Sequence, residues 1–108
     1  MGVDVLIDVF LESAAIIADL ELEQAEQTPL GRREALQLYS YRVSAAGSVA
    51  DAIRRSPDHP FIAIDTEIDS AQGMCDLPFI SPYDTLFESY LEMALLARSV
   101  AKDFFEYA

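Results

Sequence analysis

Apolar residues recur at three- and four-residue steps in three stretches of the chain, and each stretch reads as an amphipathic helix. Over 3–27, Val3, Leu6, Ile7, Phe10, Ala14 and Ile17 fall on one stripe of a helical wheel. The alternation Val3-Asp4-Val5 hints at a strand but fails within a few residues. Thr28-Pro29 should end this helix, because the proline ring disfavours helical geometry at the residue before it. Over 30–55, Leu36, Tyr39, Val43, Ala46, Ala50 and Ile53 share one side, and Ala46, Gly47 and Ala50 would let a neighbouring helix approach closely. Gly47 costs a helix interior about 1 kcal/mol relative to alanine, which predicts a weak point near Ser44–Ser48. The third helix is expected over 82–107, with Ser81 as N-cap and Pro82 at the first helical position. Its stripe is Leu86, Tyr90, Met93, Ala97, Val100 and Phe104.

Between these helices the period is ambiguous. Phe61 to Ile68 alternates weakly and is rich in β-branched residues, which suggests a short strand, and Leu77-Pro78-Phe79-Ile80 could pair with it at an edge. Residues 58–80 are therefore read as a short β-hairpin or a packed loop. Each helical stretch is roughly 38 Å long at 1.5 Å per residue, and the first link is short. The expected fold is all-α: one domain over 1–108, built as an antiparallel three-helix bundle with helices near 3–27, 30–55 and 82–107.

Charge changes this picture more than composition does. The chain carries 19 acidic residues against seven Lys and Arg, a formal net charge of −12. With 52% hydrophobic residues it is too apolar to be disordered. Phosphates repel so negative a surface, so direct binding of nucleic acid is not expected. The charge is also uneven along the chain: −7 over 1–29, +3 over 30–56, −5 over 57–81 and −3 over 82–108. The second helix is thus a basic bar between two acidic ones, and some of its five arginines should pair internally.

In the first helix, Asp4, Asp8, Glu12, Asp19, Glu23 and Glu26 lie within about 100° of one another, away from the apolar stripe, with Glu21 the exception. Asp84, Glu88 and Glu92 make a similar row on the third. Acids four apart repeat every 6 Å or so along a helix axis, comparable to phosphates along a nucleic-acid strand. They repel by a few tenths of a kcal/mol per pair, and the first helix has no lysine or arginine to relieve them. These nine acids are the candidate partner-binding residues. The expected partner is a basic protein, such as a nuclease or another nucleic-acid-binding machine whose basic groove they would occupy. A solvated face kept acidic for solubility is the plainer reading of the same rows.

Machinery for catalysis is thin. His59 and Cys75 are the single histidine and cysteine, so neither a Cys/His zinc site nor a paired-histidine di-iron centre can be assembled within one chain. The four glycines form no phosphate-cradling loop. No catalytic residue, metal or cofactor is assigned. Asp65, Glu67, Asp69 and Asp76 resemble the carboxylate ladder of an EF-hand loop, which would imply calcium. Ser70 stands where that loop needs glycine, and a solvated acidic loop is the preferred reading. Arg54 and His59 resemble the Arg-x4-His element of HEPN-type RNases, an α-helical and usually dimeric family. That resemblance would imply RNA cleavage at a dimer interface. Pro57 and Pro60 depart from it, and a helix-end arginine and a surface histidine are preferred.

Phe104, Phe105 and Tyr107 load the end of the third helix, where they either cap the bundle or bury against a second copy, so a homodimer is carried as an expectation. The start Met1-Gly2-Val3-Asp4 lacks the basic stretch of a signal peptide, and no apolar run approaches a membrane span. The expectation is a soluble cytoplasmic protein without a membrane partner.

Overall fold

A computed structural model describes residues 2–27, 31–78 and 83–107, the side chains of Glu26 and Tyr107 excepted. Four α-helices pack together: α1 (Val3–Glu26), α2 (Arg32–Arg55), α3 (Pro60–Cys75) and α4 (Asp84–Tyr107). The Thr28-Pro29 stop and the Ser81-Pro82 start lie outside the described residues, as do Phe79 and Ile80. Among the described residues there is no strand. No helix among them is long and apolar enough to cross a membrane.

The three expected helices form with bounds close to those read from periodicity, and the expected hairpin or loop is instead α3. Ile64, Ile68, Ala71 and Cys75 recur at steps of four, three and four, which sets them on one side of a helix. Ile64 and Ala71 on that side are fully buried, whereas Ile62, which a strand would place on the same face as Ile64, is exposed. Pro60 occupies the first turn, where its missing N–H costs nothing. The Thr66 hydroxyl donates to the Ile62 carbonyl at 2.8 Å. β-branched residues cost a helix only tenths of a kcal/mol each, and packing against α4 outweighs that preference.

Two antiparallel hairpins make the bundle. α1 runs against α2, with Glu21 beside Arg42, and α3 runs against α4, with Phe61 stacked 5.5 Å from Phe105. The hairpins meet where α2 packs on α4, while α1 and α3 flank that pair and hardly touch each other. Thus Phe104 and Phe105 cap the α3–α4 hairpin. The Tyr107 side chain lies outside the described residues.

The core brings Leu6, Ile7 and Phe10 of α1 and Ile64 of α3 against a largely alanine face shared by α2 and α4. The stripe expected on α2 holds at Ala46, Ala50 and Ile53 and is corrected at Leu36 and Val43. Leu36 and Val43 are 47% and 50% exposed, and the buried face is Ala45, Ala46, Val49, Ala50, Ala52 and Ile53. α2 must contact α1, α3 and α4 together, which turns its broad small-residue face inward and leaves two larger residues outside. Nor does Gly47 break the helix, since α2 is continuous through it.

Two substitutions check this packing by urea denaturation. Ala97 is fully buried on α4. Ala97→Leu should overfill the α2–α4 contact and cost about 1–3 kcal/mol. A Cβ added at Gly47 meets no atom within 4 Å. Gly47→Ala should therefore stabilise the fold by about 0.5–1 kcal/mol.

Candidate protein-binding surface

Because the apolar stripe of α1 faces the core, its acids turn to water. Asp4, Asp8, Glu12, Asp19 and Glu23 are all exposed, on the side of α1 away from Leu6, Ile7 and Phe10. Among the described residues, Asp4, Asp8, Glu12 and Glu23 have no basic partner. Asp19 is tied to the neighbouring helix, where it accepts a hydrogen bond from the Tyr39 hydroxyl. The charge and hydrogen bond of Asp19 hold the Tyr39 phenol above its usual value of 10.0. The side chain of Glu26 lies outside the described residues.

The acids of α4 are arranged differently. Glu88 and Glu92 are exposed and Asp84 is half-buried, but Glu92 is paired with an arginine of α2. Arg42 of α2 reaches between α1 and α4, where its guanidinium lies 3.0 Å from Glu21 and 2.7 Å from Glu92. Its side chain is only 11% exposed, and its Nε is buried without a hydrogen-bond partner. One arginine thus neutralises a carboxylate from each flanking helix, as the basic bar of the second helix implied. Arg54 pairs locally with Asp51 at 2.8 Å. The row on α1 is therefore the larger single-sign surface, and the row on α4 is partly consumed by packing.

Periodicity alone missed what lies beside the α1 acids. Val5, Val9, Ile16 and Leu20 face outward, at 44%, 38%, 53% and 52% exposure. They recur at steps of four, seven and four, so they line a second apolar stripe on the outer side of a helix whose inner side is already buried. The signal was present in the spacing, but the stronger inner stripe accounted for the helix without it.

The other candidate chemistry is dispersed. His59 and Cys75 sit at opposite ends of α3, roughly 24 Å apart along its axis, and cannot form a thiol–imidazole pair. Burial, then the nearby Glu88, Asp76 and Asp84 carboxylates, push the Cys75 thiol up, which keeps it protonated at neutral pH. The resemblance to a calcium loop fails on geometry, because Asp65, Glu67 and Asp69 lie on a helix rather than in a loop. Asp65 faces Arg98 at 3.7 Å, and Glu67 accepts a hydrogen bond from the Tyr90 hydroxyl. No group of three or more metal-ligating side chains occurs among the described residues. Arg54 and His59 are split between the end of α2 and the exposed turn into α3. Compared with known protein families, curated proteins and solved structures, the chain matches none of them.

Removing the Arg42 guanidinium should leave two half-exposed carboxylates uncompensated. Arg42→Ala is expected to lower stability in urea by about 1–2 kcal/mol, the half-exposure keeping the loss below that of a fully buried pair. A titration followed at the phenolate absorbance should show the Tyr39 phenol ionising at lower pH in Asp19→Asn than in the unchanged chain. Because the folded value is raised, this contact stabilises the fold fully below pH 10.0 and is lost as pH climbs through the folded value.

Proposed function

We propose that the chain is a non-catalytic acidic binding protein. It inhibits a positively charged nucleic-acid-binding protein or nuclease by occupying that protein's basic groove, in the manner of an immunity protein or a phage-encoded nucleic-acid mimic. The observation that carries this reading is the outward row of Asp4, Asp8, Glu12 and Glu23, left without a basic partner among the described residues on a helix that has no lysine or arginine. Such a row repels itself and contributes nothing to packing, so its benefit lies in attraction to something outside the molecule. Association would be fast, steered by charge and weakened by salt. Asp19 and Glu88 extend the negative field, while Glu92 acts mainly within the fold. A structural or regulatory helical module working through homodimerisation or assembly into a larger complex is the second reading, favoured by the large apolar side chains that remain outside the core.

Immobilised protein should retain a basic nucleic-acid-binding protein from lysate of its native host and release it along a rising salt gradient. The variant Asp4→Asn/Asp8→Asn/Glu12→Gln/Glu23→Gln should slow association by about tenfold or more at low salt. Unchanged retention by this variant, checked to be folded, would remove α1 from the reading. Self-association alone, surviving high salt, would favour the structural module.

A further inference from the structure

The outer side of α1 offers more than charge. Val5, Val9, Ile16 and Leu20 run along it over roughly 23 Å, nearly half of each side chain open to water. On a helical wheel the stripe lies about 140° from the buried face. Acids edge it on one flank only; the other flank carries the uncharged Ser13 and Gln24. A surface that mimics phosphates by charge alone has no use for leucine and isoleucine in water, and such stripes mark places where another protein packs.

The area points the same way. The chain exposes 6969 Å². A compact monomer of 12.0 kDa exposes about 6000 Å², and one side of a standard protein interface covers about 800 Å².

We infer that the partner docks on α1 through a basic amphipathic helix: apolar residues cover the Val5–Leu20 stripe, and lysines or arginines on one flank meet Glu12 and Glu23. This rests on the proposed function and specifies the kind of segment it captures. A helix fits because the stripe is long, straight and one side chain wide, which suits an apolar seam at three- and four-residue steps. The one-sided acids fix the direction in which it lies. A second α1 is a poor occupant, since it brings seven further acids and no base. The division of labour follows: the acids set the rate and orientation of encounter, and the stripe holds the complex when salt has screened the charges.

The test uses the full chain and fluorescence anisotropy with three labelled probes. These are a leucine–lysine helix of about 16 residues with its lysines on one flank, a scrambled peptide of the same composition, and an oligolysine of equal charge. The ordered helix should bind at least tenfold more tightly than the scramble and persist at about 0.5 M NaCl, where oligolysine is released. Ile16→Gln/Leu20→Gln changes only exposed positions. It should reduce the ordered helix to the level of the scramble and leave oligolysine unaffected.

Equal binding of ordered and scrambled peptides, or no effect of Ile16→Gln/Leu20→Gln, overturns the inference while leaving the acidic-face reading intact. Failure of every basic probe to bind overturns both. Sedimentation equilibrium completes the set: a dimer that Ile16→Gln/Leu20→Gln converts to monomer assigns the stripe to a second copy and overturns the inference.

Discussion

Everything else in this fold depends on how closely α2 and α4 approach each other. The buried faces of these two helices are largely alanine: Ala45, Ala46 and Ala50 on α2, and Ala94, Ala97 and Ala101 on α4. Alanine costs no side-chain entropy in a helix and holds the backbones close, but each residue removes little apolar surface from water. Bulkier side chains join them, Leu6, Ile7 and Phe10 from α1 and Ile64 from α3, beside Val49, Ile53 and Met93 of the central pair itself. The result is a slab with principal extents of 44 × 33 × 19 Å.

Arg42 sits where this packing meets the charge pattern. Taking a guanidinium almost wholly out of water is costly, and the two carboxylates that offset it come from helices on either side. That arrangement ties half-exposed Glu21 and Glu92 to α2 and leaves the outer acids of α1 unpaired among the described residues. Uneven charge along the sequence therefore becomes uneven charge in space: a basic helix spends its most central cation on internal ties, and the flanking acidic helix keeps its surface.

Much of this was legible in the order of residues. The bounds of three helices followed closely from apolar spacing, with Pro57 marking the end of α2, and the exposure of Asp4, Asp8, Glu12, Asp19 and Glu23 followed from the stripe opposite them. What failed has identifiable physical causes. In α3, Ile62, Ile64, Thr66 and Ile68 mimic a strand period, and only contact with α4 decides between the two. In α2, Leu36 and Val43 dominated a wheel on which the true core was alanine, a residue that signals little by its hydrophobicity. The tie between Arg42 and Glu92 joins positions 50 residues apart, so no local rule could show that exposed Glu92 is already paired. On α1, one apolar stripe was enough to explain the helix, and so the second passed unnoticed.

The thinness of the slab has a thermodynamic consequence. A domain only 19 Å across in one direction holds few residues far from water, so its folding free energy rests on a small core. Any molecule that covers the outside of α1 adds a layer and binds the folded chain alone. Folding and binding then become linked equilibria, in which the melting temperature and the survival of the chain against proteases rise with the concentration of whatever it holds. Under the proposed function, the lifetime of the protein in a cell would be set in part by the abundance of its target.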